Sequence, residues 1–246
     1  MTKNFRYLNY QLEENQLKTI LITGCNRGIG FEFVRQFSLM DINIIATYRN
    51  KSSSEELLSL VEKSSKIELL ELDVSSNQSI EKFASNLSDK PIDIYINNAG
   101  MMGSGTRSFG EVKGDRWLEV FNVNTVAPLL LTQKLFRNFL KGKDKKLVYV
   151  SSKVGSIGDN SGGGSYIYRS SKTALNQVVK SLSIDLNDQG FEVVAVHPGW
   201  VQTDMGGPNA LIDVTTSVAG LINIITNLNG SDSGKFFNYD GQTIPW

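Results

Sequence analysis

Apolar residues along this chain follow two alternating rhythms. Short, nearly continuous apolar runs at 18–23, 42–47, 67–72, 92–97, 147–152, 191–196 and 235–238 read as strands buried on both faces. Between them, 29–40, 54–63, 79–87, a long stretch from 114 to 140, 168–186 and 214–227 carry the 3.6-residue period of helices. Strand and helix alternate throughout, which predicts a doubly wound parallel sheet of seven strands with helices on both faces. Such a sheet binds ligands beyond the carboxyl ends of its strands. Thr23, Arg49, Asp73, Asn98, Ser152 and Pro198 all fall at or just past predicted strand ends, so they share one edge.

The chemistry on that edge begins with TGCNRGIG (23–30), a glycine turn between the first strand and the first helix. Gly24 permits a tight turn, Gly28 lets backbone approach a diphosphate, and Gly30 lets helix pack on strand. Asn26 and Ile29 lie within the same turn, and free N–H groups at the helix start would face phosphate. An ordinary strand–helix turn uses glycines too. After the second strand, where an acidic residue would hold a ribose 2′-OH, Arg49 stands instead, and Arg27 directly precedes Gly28. Two guanidinium groups suit a 2′-phosphate and favour NADP over NAD, unless both are simply solvated.

LDV (72–74) offers Asp73 and Val74 to an adenine, or uses Asp73 as a cap for a helix beginning near Ser76. Asn98, Ala99 and Gly100 close the fourth strand with small residues that would admit a cofactor ribose. Residues 101–113 read as a loop, and Asn124 is a polar residue inside an otherwise apolar helical pattern, in a structural or a catalytic role.

The richest stretch is SSKVGSIGDNSGGGSYIYRSSK (151–172). Tyr168 and Lys172 are four apart and therefore share a helix face. A neighbouring cation favours phenolate, and a serine hydroxyl could bind a substrate oxygen while the phenol exchanges a proton with it. The SGGGS segment (161–165) reads as a mobile rim of that site. His197, the single histidine, ends a strand directly before Pro198 and Gly199, where a structural role is expected. Val201 and Thr203 follow, and the loop from Thr203 to Pro208 would reach a nicotinamide amide or fold over substrate.

Composition narrows the partners. The chain has 246 residues with 25 basic and 25 acidic side chains, so charge favours neither nucleic acid nor an anionic membrane. One cysteine precludes an intrachain disulfide, no metal-ligand cluster stands out, and no apolar run approaches the about 18 residues of a membrane span. A cytoplasmic protein is expected, with a polar arm at 1–17 and a single domain at 18–246.

Taken in order, TGCNRGIG, LDV, NNAG (97–100), VNT (123–125), SS (151–152), YRSSK (168–172) and HPGWVQT (197–203) resemble the short-chain dehydrogenase/reductase family. QTDMGGPNA and DGQTIPW are similar to its carbonyl-reductase branch, which includes sniffer and the C-factor proteins. The resemblance implies a Rossmann-type fold, NADP(H) as cofactor, and reduction of a small aldehyde or ketone. It implies a tetrad of Asn124, Ser152, Tyr168 and Lys172. Tyr168 would protonate the carbonyl oxygen and Ser152 would hold it. Lys172 would bind the nicotinamide ribose and depress the phenol pKa, and Asn124 would anchor a proton-relaying water. It further implies cofactor contacts from the turn, Arg49, 73–74, 98–100, Tyr168, Lys172, Pro198, Gly199, Val201 and Thr203. Helices 125–140 and 168–186 form the usual dimer surface of the family, so a homodimer and a monomer both remain open. Ser152 lies sixteen positions before Tyr168, a longer gap than most of the family has, and Ser156 is the rival hydroxyl.

Overall fold

A computed structural model describes residues 17–103 and 108–246. The arm expected at 1–17 lies outside the described residues except for Leu17, as does the 104–107 part of the 101–113 loop.

Seven strands form one parallel sheet: β1 (Thr19–Ile22), β2 (Asn43–Tyr48), β3 (Ile67–Glu71), β4 (Ile94–Asn97), β5 (Lys146–Val150), β6 (Glu192–His197) and β7 (Phe236–Asn238). Their spatial order is β3-β2-β1-β4-β5-β6-β7. The chain winds outward from β1 to one edge, crosses back, and winds outward again from β4. Strand direction therefore leaves a crevice beside the β1–β4 boundary.

Alternation of side chains along each strand supplies both cores. Ile20, Ile22, Ile44, Ala46, Ile96, Val148 and Val194 point to one face. There they pack on α1 (Gly28–Phe37) and α8 (Val214–Asn227), through Phe33, Phe37, Leu221 and Ile225. On the same face Leu57 anchors α2 (Glu55–Glu62). Leu21, Ile45, Tyr95, Leu147, Tyr149 and Val193 point the other way. They meet α3 (Asn77–Leu87), α5 (Ala127–Lys134), α6 (Phe136–Lys141) and α7 (Tyr166–Asp185).

The expected single helix over 114–140 is instead three pieces. Helix α4 (Gly114–Phe121) runs into a π-helical turn, Asn122–Val126, before α5, and Leu135 breaks α5 from α6. The wide turn swings Asn124 inward, fully buried, and this polar group among apolar ones has partners off its own helix. Helix α7 also begins two residues earlier than its pattern suggested. Gly163, Gly164 and Ser165 hold φ of 61°, 62° and 48°, a left-handed run that the glycines permit and that brings the chain abruptly into the helix. No helix among the described residues is long and apolar enough to cross a membrane.

Candidate active site

The glycine turn is knitted to two neighbouring strand ends. The Thr23 hydroxyl accepts from the Asn98 and Ala99 N–H groups, both at 3.0 Å. Asn98 Nδ2 donates to the Thr23 and Gly24 carbonyls at 2.9 and 3.0 Å. Gly24 N donates to Thr47 Oγ1 at 3.2 Å. Gly24 sits at φ 68°, and a Cβ on Gly30 would strike the Gly24 carbonyl oxygen and Asn98 Nδ2. The start of α1 therefore lies tight on the turn, and the N-cap residue Arg27 does not cap its first N–H groups with its side chain. Those donors, with the space the absent Cβ atoms leave, fit a diphosphate. Asn98 itself braces this turn with its side chain.

Arg27 and Arg49 are both exposed at this edge, as expected, but they differ. Arg27 forms an ion pair with Asp204 at 2.7 Å, which ties the first turn of α1 to the loop after β6, whereas Arg49 makes no ion pair with a described residue. Thr203 also lies against the turn, within reach of a Cβ placed on Gly28. Asp73 does not cap α3, although its N–H donates to Ser79 Oγ of that helix at 2.9 Å. Ser76 is the N-cap, and the Asp73 carboxylate accepts from Ser75 N and Ser75 Oγ at 2.9 and 2.7 Å. Val74 follows it, half-buried at the same edge.

Across the crevice, Ser152 follows β5, its hydroxyl accepting from Val154 N at 3.4 Å and standing beside the Tyr168 phenol of α7. One turn on, Lys172 donates from Nζ to the Val150 carbonyl oxygen at 2.9 Å and lies 5.9 Å from the Tyr168 ring centroid. Burial pushes the phenol up to about 12, and the Ser152 hydroxyl opposes that rise. Burial also pushes Lys172 down to about 8. The expectation that Lys172 depresses the phenol is thus not met in the protein alone. Desolvation dominates, and the ammonium is engaged by a backbone carbonyl. At neutral pH the phenol is a protonated acid.

Asn124 is the fourth expected member. Its Oδ1 accepts from Met101 N at 2.8 Å, and Nδ2 donates to Met101 O at 2.7 Å and Ser171 Oγ at 3.0 Å. A Cβ on Gly100 would lie 3.3 Å from Asn124 Oδ1 and 3.5 Å from Lys172 Nζ. Gly100 therefore lets β4, the π-helical turn and α7 close on one another.

A cleft of about 740 Å³ opens beside Ser152 and Tyr168, with Ile29, Pro198, Gly199, Val201 and Thr203 along its cofactor side. Ser217 Oγ donates to the Pro198 carbonyl at 2.5 Å and fixes that turn on α8. The rival Ser156 is buried elsewhere: its hydroxyl donates to the Pro245 carbonyl oxygen at 2.5 Å and accepts from Asp159 N at 3.1 Å.

Residues 18–211 match the family model of the short chain dehydrogenases. The chain belongs to that family. It is 42% identical to the C-signal protein of Myxococcus xanthus over 164 residues, covering 67% of this chain and 98% of that one. The carbonyl reductase Sniffer of D. melanogaster superposes with a TM-score of 0.88 at 33% identity, covering 94% of this chain and all of that one. An NADPH-bound carbonyl reductase from chicken fatty liver gives 0.87 at 31% identity, covering 94% and 95%.

Within the family pattern, the longer gap between Ser152 and Tyr168 is taken up by a 3-10 turn after Ser152 and the left-handed glycines before α7. The stretch expected as a mobile rim is tied down: Gly163 N donates to Asn160 Oδ1, and Arg169 Nε to the Gly163 carbonyl oxygen. Sequence reasoning placed Thr23 on the edge without a role and passed over Ser171 and Asn176; all three brace the site. Ser151 Oγ donates to Asn176 Oδ1 at 2.6 Å, and Asn176 Nδ2 to Gly155 O at 3.3 Å. Their one signal was position, a small or amide residue on the buried face of α7 or at a strand end. Lys153, Asp159 and Arg169 of the cleft wall were also passed over, although they flank the residues singled out.

Proposed function

We propose that this short chain dehydrogenase is an NADPH-dependent reductase of small aldehydes and ketones, reversible in principle. One observation carries the reading: a protonated phenol, Tyr168, beside the Ser152 hydroxyl and with a buried lysine 5.9 Å from its ring, opens on the same crevice as the glycine turn. The NADPH-bound chicken carbonyl reductase supports the cofactor. The Gly24–Gly30 turn would hold the diphosphate, Arg27 and Arg49 the 2′-phosphate, and 98–100 and Lys172 the nicotinamide-side ribose. Asp73 and Val74 would border the adenine, and Pro198 to Thr203 the nicotinamide.

When bound, the nicotinamide supplies hydride to the carbonyl carbon. This chain's residues handle the oxygen. Ser152 donates to the carbonyl oxygen and fixes it beside Tyr168. Tyr168 gives up its phenolic proton as the alkoxide develops, which suits an acid that burial keeps protonated. Lys172, held by Val150 O, presents a positive charge beneath the phenol and stabilises the phenolate left behind. Asn124 holds the Met101 backbone and α7 in register around that lysine, and would anchor the water that returns a proton to it.

Oxidation of NADPH and of NADH with a panel of small carbonyls tests this. NADPH is expected to be consumed with many-fold preference over NADH, and Arg49→Ala to narrow that preference. Binding of NADPH without turnover of any carbonyl would favour a cofactor-sensing protein instead. An NADH preference would overturn the arginine argument alone.

A further inference from the structure

We infer that the cleft takes carbonyl compounds bearing a carboxylate remote from the reacting carbon, and that Arg169 recognises that carboxylate. The inference rests on the reductase reading above. Arg169 directly follows Tyr168 on α7 and lines the cleft, half-buried. Two backbone carbonyls hold its guanidinium: Nε donates to Gly163 O and Nη1 to Val154 O, both at 3.2 Å. It forms no ion pair with any described carboxylate.

The other charges on the cleft wall do not balance it. Lys153 and Asp159 pair with each other at 3.3 Å and cancel. His197, pushed down to about 4 by burial and next by Lys153, is neutral at physiological pH. Lys172, buried beside the Tyr168 ring, adds positive charge. A half-buried guanidinium held only by neutral acceptors keeps donors over, and its planar fork matches a carboxylate. Met102, Ile167, Trp200 and Met205 supply apolar wall for the body between carbonyl and acid. The competing account is that Arg169 only ties down the glycine-rich loop through Gly163.

The test compares ω-oxo acids of graded chain length with their methyl esters, which keep the shape and remove the charge. A charge-assisted bond of this kind predicts roughly 10- to 100-fold higher kcat/KM for the acid of best length, expressed in KM. KM for the acid should rise with salt while that of the ester does not. Arg169→Gln should bring the acid-to-ester ratio close to one. Arg169→Lys, which keeps the charge but loses the planar fork, should lower the acid preference to an intermediate value and leave the ester unchanged, and this variant decides the matter if the glutamine variant does not fold, an undiminished preference overturning the inference. Calorimetry of the acids with the NADP⁺-loaded protein gives a readout free of turnover, with binding expected in wild type and weakened in Arg169→Gln. Equal losses for acid and ester in Arg169→Gln, no preference for acids in wild type, or no binding of any acid would overturn the inference. Failure to reduce acids and esters alike, with acid binding intact, would overturn the reductase reading and leave the anion site standing.

Discussion

Lys172 Nζ donates to the Val150 carbonyl oxygen at 2.9 Å, so the last residue of β5 fixes an ammonium that is almost wholly buried. The fold bears a cost for that charge. Burial lowers Lys172 from 10.5 to about 8, and in the unfolded chain it regains its ordinary value. Between pH 8 and 10.5 the unfolded state therefore holds more protons, and stability rises with pH across that window.

Lys172→Met should separate stability from activity. At pH 7 it is expected to be no less stable than wild type, and more stable by on the order of 1–3 kcal/mol if the lost Val150 partner is tolerated. The difference should shrink as pH rises from 8 to 10.5, while carbonyl reduction falls by roughly 100-fold or more at every pH. Chemical denaturation across pH, paired with activity assays, checks both halves.

Ser152 and Ser156 differ by what their hydroxyls touch. Ser152→Ala loses only the long 3.4 Å bond from Val154 N and should lower the Tm by no more than Ser156→Ala does, but lose roughly 10²–10³-fold in activity, as expected for removal of a donor to a developing oxyanion. Ser156→Ala breaks the bond to Pro245 O and should cost about 1–2 kcal/mol, a Tm drop of roughly 2–4 °C. Much of its activity should survive. A reversed pattern in melting curves and steady-state rates would move the oxygen-binding role to Ser156.

His197 should make the protein acid-sensitive. Its Nδ1 is buried without a hydrogen-bond partner among the described residues, and burial, assisted by Lys153, lowers it from 6.5 to about 4. As pH falls from 6.5 to 4 the unfolded chain takes up a proton that the folded one refuses, so stability is lost through that window. Relative to His197→Gln, wild type should lose on the order of 1–3 kcal/mol there. Parallel denaturation curves for the two proteins at each pH would contradict this.

Much of this arrangement was legible in the chain. Continuous apolar runs marked all seven strands within about two residues, because a strand covered on both faces must be apolar throughout. The strand-end rule then placed Ser152, Asn98 and Pro198 on one edge. What the chain concealed were partners distant in sequence. Nothing local shows that Ser156 reaches Pro245, that Asn98 grips the Thr23–Gly24 turn, or that Arg27 meets Asp204. Asn124 illustrates both sides: its polarity amid apolar neighbours was visible, but the π-helical turn that aims it at Met101 and Ser171 depends on those partners. The phenol was misjudged for a related reason. Helical spacing brings Lys172 near Tyr168, but only the packed fold reveals that burial raises the phenol and that the Val150 carbonyl engages the lysine.

Tyr168→Phe tests the central claim most directly. It removes one oxygen, the atom proposed to deliver the proton, and leaves the ring against Lys172. Wild type should oxidise NADPH with a small aldehyde, while the variant binds NADPH with similar affinity and turns over at least about 100-fold more slowly. A variant that keeps the wild-type rate would contradict Tyr168 as the acid.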